Sequence, residues 1–255
     1  MLRKAALRTI LAGLAFTLAT PALHADIVVD PEFSLPLEID IFARQGTVHF
    51  IPRSGVLILT RVYTGTGFYQ ALLNSLNAPV SSNAMIPGVH AEAFADPLQR
   101  TGSVGGGMNL SNAVSGGAEA ISMLHVPFEI EGVTGPVSVS FSATLTGSQS
   151  LDTTGGGRNA SSDLSFGAKV NGNSVLAFEN LLQIGPNTSA SYSINQTLTG
   201  SLTLDGDTPY NLNERLVYQG LGNVPEPSFF IFLGTGLGGI FLARSIRGRS
   251  STMKE

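Results

Sequence analysis

The feature that most constrains the fold is a strict alternation of apolar and hydroxylic side chains in the middle of the chain. Between residues 137 and 146 every odd position is apolar and every even position is Ser or Thr. Successive side chains of a strand point to opposite faces, whereas a helix would space its apolar residues three or four apart. The segment therefore predicts a strand with one buried and one solvated face, as in an antiparallel sheet.

The same period of two recurs along the chain and predicts further strands. They cover residues 56–63, 126–130, 164–170, 174–182, 192–204 and 211–218. Asn171-Gly172 separates two of them and predicts a hairpin, because both central residues of a type I′ turn need positive φ. Gly200 predicts a bend or bulge in the long strand 192–204.

Other segments break this pattern and carry different expectations. Residues 69–76 and 118–124 are expected to be short helices, and the glycine-rich stretches 102–107 and 155–157 are expected to be loops. Many strands, short turns and a solvated face favour an all-β fold, either an antiparallel β-sandwich or a jelly roll. A β-solenoid is the alternative, although the chain has no repeat of fixed period.

The two ends of the chain differ from its middle. Residues 1–25 combine a basic start (Arg3, Lys4, Arg8), an apolar stretch and small residues before Ala25, which predicts a secretory signal peptide. Residues 26–223 then form one extracytoplasmic β-rich domain. This body has sixteen acidic and seven basic residues, a formal charge of −9, so nucleic acid is not an expected partner. The chain contains no cysteine, which excludes disulfides and thiolate metal sites.

The C-terminal region has three parts in a fixed order. A short polar signature comes first, formed by Val224, Pro225, Glu226 and Pro227. An uncharged stretch over residues 229–243 follows and predicts a single transmembrane helix, whose anchor residues are Phe229, Phe230, Ile231, Phe232, Leu233, Gly234, Gly238, Ile240, Phe241 and Leu242. A basic cluster follows (Arg244, Arg247, Arg249), which the positive-inside rule places in the cytoplasm, and residues 250–255 are a short tail.

These three parts resemble the PEP-CTERM sorting signal over residues 224–249, about a tenth of the chain. The resemblance implies that an exosortase, an integral-membrane cysteine protease, recognises the motif and removes the helix. It also implies a precursor anchored in the inner membrane of a Gram-negative bacterium, then release to the cell surface or extracellular matrix, linked to exopolysaccharide and biofilm. The two prolines support the role of the motif, because they hold it extended and accessible to a protease cleft.

The body offers few candidates for chemistry, and no cofactor or metal is expected. His49, His90 and His125 are far apart in sequence and are interpreted as scattered residues. Glu129 and Glu131 share one strand face, where they are either a carboxylate pair or ordinary outward charges. Asp205-Gly206-Asp207 is interpreted as a turn in preference to a Ca²⁺ loop, and Gly105-Gly106-Gly107 is not a phosphate loop, because no lysine accompanies it.

The sequence thus predicts a non-enzymatic surface or matrix protein, and the resemblance adds exopolysaccharide as a further expected partner. Two alternatives stay open. One is a polysaccharide-active enzyme using Glu129, Glu131 or a histidine. The other is a Ca²⁺-dependent carbohydrate-binding or adhesive module.

Overall fold

The protein is described here by a computed structural model, which covers residues 28–29, 39–65, 67–110, 115–154 and 158–223. These residues form strands and turns, with no helix among them. The strands are, in chain order, β1 (Val28–Val29), β2 (Ile39–Ala43), β3 (Thr47–Phe50), β4 (Gly55–Thr64), β5 (Phe68–Leu76), β6 (Val80–Ile86), β7 (Val89–Asp96), β8 (Thr101–Asn109), β9 (Ser115–Glu131), β10 (Pro136–Asp152), β11 (Asn159–Val170), β12 (Asn173–Ile184), β13 (Ser189–Asp205) and β14 (Pro209–Asn223).

The strands form two antiparallel sheets. Sheet A has the order β13-β10-β1-β8-β7-β6, and β2 also pairs with β10. Sheet B has the order β12-β11-β14-β9-β4-β5. Strand β3 pairs with residues 128–131 of β9, next to the part of β9 that pairs with β4. Strands β7 and β8 of sheet A pack on β4, β9 and β14 of sheet B, and β10 and β13 pack on β12. The described residues therefore form an antiparallel β-sandwich and not a solenoid.

The core lies between the sheets and follows from the alternation in the sequence. The alternate apolar residues of β9 and β10 point inward, and Phe128, Phe141 and Leu145 are almost completely buried. Ile58 of β4 and Leu164 of β11 belong to the same buried cluster. Burying one such side chain contributes about 1.5–3 kcal/mol. The hydrophobic effect on these alternating apolar residues therefore stabilises the packing of the two sheets.

Two groups of polar side chains inside the sandwich are hydrogen-bonded to one another. Thr60 and Ser82 bridge the two sheets with hydroxyl oxygens 2.7 Å apart. Gln149 donates to the Ser162 hydroxyl over 2.9 Å and accepts a hydrogen bond from Asn180. Because an unpaired buried polar group costs about 1–3 kcal/mol, these bonds also define how the sheets align.

The structure confirms the predicted strands and the hairpin. Residues 137–146 lie in β10, and their hydroxyl side chains face solvent beside those of β13, where the Thr144 and Thr197 hydroxyls lie 3.2 Å apart. Asn171 and Gly172 both have positive φ, 46° and 89°, and they join β11 to β12 as the type I′ signature required.

The two predicted helices are wrong. Residues 69–76 belong to β5, whose partner is β4, and residues 118–124 lie in β9 between β4 and β14. Both segments mix apolar and small residues, so their helical and extended preferences are close. Pairing with neighbouring strands satisfies the backbone of β9 on both sides, and this tertiary pairing outweighs local propensity.

The predicted glycine loop at residues 102–107 is also wrong, because this stretch lies in β8. Gly106 faces sheet B, and a Cβ atom there would lie 2.5 Å from a ring carbon of Tyr218. Gly106 therefore makes room for a large side chain of the facing sheet, and the glycines of β8 do not break the strand. The second glycine-rich stretch, residues 155–157, lies outside the described residues.

The bulge predicted at Gly200 does not occur. Pairing of β13 with β10 continues in register through Gly200, and the irregularity of the sandwich lies between Ala168 and Lys169 instead. A Cβ atom at Gly200 would overlap the carbonyl oxygen of Val175 in β12. Gly200 therefore permits a close approach between an edge strand of each sheet.

Candidate functional site

The strongest candidate site is a groove of about 1200 Å³ on the outer face of sheet B. It crosses the strands rather than following one. Leu57, Met123, Arg215, Gly167 and Ala177 lie in one row across β4, β9, β14, β11 and β12, because each is the register partner of the next. The row joins strands that are far apart in sequence, so only the sheet order brings these residues together.

The groove forms because small side chains occupy some outward-facing positions of sheet B. Gly55 lies beside His125 and Gly167 beside Arg215 on neighbouring strands, and Ala177 is the small register partner of Gly167. A Cβ atom at Gly167 would meet only the carbonyl oxygen of Leu176, at 4.0 Å, so the space above it is open. Leu57 and Met123 supply apolar floor between these positions. The groove thus has the mixed apolar and polar lining that is usual for ligand sites.

A polar row borders the apolar floor. His125 is the register partner of Asn213, and Asn213 is the partner of Lys169. The His125 Nδ1 atom lies 2.7 Å from the Asn213 Oδ1 atom. Because a carboxamide oxygen only accepts, Nδ1 carries the hydrogen, and in the neutral ring Nε2 is left as an acceptor. The row offers one ammonium group, one carboxamide and one imidazole.

The groove concentrates positive charge in an acidic body. Lys169 and Arg215 are exposed at its centre and form no ion pair with a described residue. The exposed carboxylate that lines the groove is that of Glu179 in β12. Further along the same face, burial and the charge of Glu179 raise the pKa of Asp163. The groove is therefore cationic in its centre and acidic toward β12.

Beneath this face lies the most perturbed acid of the described residues. Glu214 precedes Arg215 in β14, so it points inward, and it is 4% exposed. Burial raises its pKa to about 8, and the positive charge of Arg100 lowers it by a smaller amount. Neither carboxylate oxygen has a hydrogen-bond partner within the described part of the chain. Glu214 is thus held in its protonated form at neutral pH, inside the core and not in the open groove.

The structure places His49 beside the two glutamates, Glu129 and Glu131, that the sequence puts on one strand face. His49 in β3 is the register partner of Glu129 in β9, and its Nδ1 atom lies 4.0 Å from a carboxylate oxygen of Glu131. One donor atom from each of the three lies within 4.8 Å of the others. The histidines themselves stay scattered, but His49 joins the two glutamates, and these three side chains supply nitrogen and oxygen donors of the kinds Zn²⁺ accepts.

The other candidates remain separate. His90 lies in β7 of sheet A and His125 in the groove, away from His49. Asp205-Gly206-Asp207 forms the turn that the sequence predicts, with Asp207 at φ 51° and its amide donating to the Ile130 carbonyl oxygen over 2.7 Å. Among the described residues, no group of three metal-ligating side chains includes either of these aspartates.

The predicted sorting motif Val224–Pro227, the anchor over residues 229–243 and the basic cluster lie outside the described residues, as does the predicted signal peptide. Within the part of the chain that the structure does describe, no helix has the length and apolarity needed to cross a membrane.

Comparisons with family models, with curated proteins and with solved structures gave no match to this chain.

Sequence reasoning missed the groove. Its polar residues come from three strands that are not consecutive in sequence, and each is an ordinary outward residue of its own strand. One signal was present, since Gly167 interrupts the outward polar positions of β11 with the smallest residue. Such a glycine marks close approach or open space only once its neighbours are known.

Proposed function

We propose that the chain is an exported, non-enzymatic surface or extracellular-matrix protein whose β-sandwich binds an anionic polysaccharide. The observation that carries the binding proposal is the groove on sheet B, where Lys169 and Arg215 form no ion pair with any described residue in a body of charge −9. Cations at such a position attract carboxylate groups, and Arg can hold a carboxylate by two parallel hydrogen bonds. A polysaccharide that carries uronic acids presents these groups along its length.

The size and shape of the groove agree with a polymer. Pockets for single small molecules measure about 300–1,000 Å³, and this groove is larger and open. It crosses sheet B from β5 to β12, so a chain can enter at one side and leave at the other. The Asn213 carboxamide and the His125 Nε2 atom would hydrogen-bond sugar hydroxyls, while Leu57 and Met123 would contact the apolar face of a sugar ring.

Binding of polygalacturonate by the full chain, measured by calorimetry with a neutral glucan as the comparison polymer, tests this proposal. Arg215→Gln and Lys169→Gln should each weaken binding several-fold, and added salt should weaken the wild type more than either variant. Gly167→Trp should abolish binding by filling the groove, while Thr203→Trp on the outer face of sheet A serves as the matched control. If all four variants bound polygalacturonate as tightly as the wild type, the proposal that the groove binds the polysaccharide would be wrong.

The route to the surface is the second part of the proposal. The signal peptide over residues 1–25 and the sorting segment over residues 224–249 support export, an inner-membrane precursor anchored by residues 229–243, and processing by an exosortase. Mass spectrometry of the mature protein from its native host tests this, and an intact C-terminus would refute processing. Unchanged processing of a Glu226→Gln variant would remove Glu226 from the recognition element.

The cluster of His49, Glu129 and Glu131 favours one second candidate, a polysaccharide-active enzyme. Carboxylates about 5–5.5 Å apart are typical of retaining glycosidases, and these are within 4.8 Å. The cluster is half exposed and lies outside the groove, so it ranks second. Release of reducing ends from polygalacturonate, lost in both Glu129→Gln and Glu131→Gln but kept in Glu92→Gln, would establish the enzyme.

A further inference from the structure

One side of the sandwich is a neutral, apolar edge, formed where both sheets end. Strand β5 is the last strand of sheet B and β6 is the last strand of sheet A. Residues 68–86, which include both strands and their connection, contain no Asp, Glu, Lys or Arg. The edge strands on the opposite side, β12 and β13, each carry a carboxylate, Glu179 and Asp205. The two sides of the same sandwich therefore differ in chemistry.

Strand β5 exposes large apolar side chains to an unusual degree. Phe68 is 65%, Leu72 59% and Leu76 76% exposed, and Tyr69 and Leu73 on the other face are also exposed. Among the described residues β5 pairs only with β4, so the backbone groups of its outward edge have no strand partner there. Soluble proteins usually protect such an edge with charges, proline or a bulge, and β5 has none of these.

We propose that β5 is a self-association edge that pairs antiparallel with β5 of a second copy of this chain, centred on Leu72. The alternation in β5 is symmetric about that residue. In this register Phe68 faces Leu76 of the other copy, Gln70 faces Asn74, and Leu72 faces its own equivalent. Every apolar residue of this face meets an apolar residue and every carboxamide meets a carboxamide, which can hydrogen-bond to each other.

The charge distribution selects a second copy over other partners. Two bodies of charge −9 repel each other, and the edge without charge is the place where they approach at the least electrostatic cost. A strand of nine residues is about 30 Å long. Two sandwich edges of that length and roughly 20 Å thickness would bury about 1,200 Å² in total, at the lower limit for stable interfaces. The association is therefore weak in dilute solution and favoured at a crowded surface.

The absence of cysteine makes a direct test possible in the full chain, kept in mild detergent. With Leu72→Cys, mild oxidation should produce a disulfide-linked dimer, because directly opposite residues of antiparallel strands have Cα atoms about 4.5–5.5 Å apart. Leu181→Cys, equally exposed on β12 at the other edge, is the matched control and should remain monomeric.

The register is tested by mixing two variants. Gln70→Cys and Asn74→Cys should each cross-link poorly alone and well with each other. Adding Leu72→Lys to both should reduce the cross-linked fraction about tenfold or more, since it places two like charges opposite each other, whereas Leu181→Lys should leave it unchanged.

Three results would overturn the proposal. Equal cross-linking of the Leu72→Cys and Leu181→Cys variants would indicate random collision. A Leu72→Cys thiol that reacts freely with a maleimide but never cross-links would show that no second copy binds there. A thiol protected from maleimide in a monomer would mean that another segment of the same chain covers β5.

Discussion

The replacement Glu214→Gln should make the stability of this protein much less dependent on pH. The burial of Glu214 raises its pKa from 4.5 to about 8 in the folded chain. Between these values the folded chain holds a proton that the unfolded chain has released. The contribution of Glu214 to the free energy of unfolding is therefore fully present below about pH 4.5. It falls by about 1.4 kcal/mol per pH unit until the pH passes the folded pKa of about 8.

The expected size is large compared with total stability. The free energy of unfolding of the wild type should be about 3 kcal/mol lower at pH 7 than at acidic pH, and about 5 kcal/mol lower above pH 8. The total free energy of unfolding of a typical domain is about 5–15 kcal/mol. Glutamine has nearly the same shape and does not titrate in this range. The free energy of unfolding of Glu214→Gln minus that of the wild type should therefore rise between pH 4.5 and 8 by the same amount.

Urea unfolding followed by far-ultraviolet circular dichroism, repeated from pH 4 to 9, measures this difference. The control is Gln196→Ala, an exposed residue of β13, whose difference from the wild type should stay constant with pH because neither side chain titrates. If the Glu214→Gln difference did not change between pH 5 and 8, the carboxylate would be stabilised by ionised contacts and the account of its burial would be wrong.

Three further substitutions test the packing of the sandwich, each by its change in the urea midpoint. Gly200→Ala should destabilise by about 1–3 kcal/mol, because its Cβ would overlap a β12 carbonyl oxygen, whereas Gly185→Ala enters open space and should be nearly neutral. Gln149→Ala should cost about 2–4 kcal/mol by leaving buried partners without hydrogen bonds, against little change for the exposed Gln196→Ala. Gly172→Val should cost about 1–2 kcal/mol, because φ of 89° is strained for a branched residue, and an unchanged midpoint would contradict the hairpin geometry.

Strand prediction succeeded where one face of a segment is buried and the other is exposed to solvent. In β10 and β11 the period of two carries through the whole element, and the hydrophobic effect acts on it directly. It failed for β5, which is exposed on both faces, and for residues 118–124 of β9, where alanines dominate the inner face. In those segments local preference is weak, and the neighbouring strand decides.

The glycines show the same limit for the candidate site. Gly106, Gly167 and Gly200 look alike in sequence, yet one admits a tyrosine ring, one opens a groove and one admits a backbone carbonyl. Their roles depend on what lies opposite them. The contact of His49 with Glu131 likewise depends on β3 lying beside β9.

By itself, the sequence determined which segments are amphipathic strands, where the Asn171-Gly172 hairpin turns and how acidic the body is, because these properties are local. The export and sorting signals at the two ends of the chain stay predictions. Tertiary structure alone decided the order of the strands in each sheet. That order places Lys169, Arg215 and His125 in one groove, buries Glu214 beneath it and leaves β5 at an edge. Strand order depends on contacts between residues distant along the chain, which local patterning does not encode.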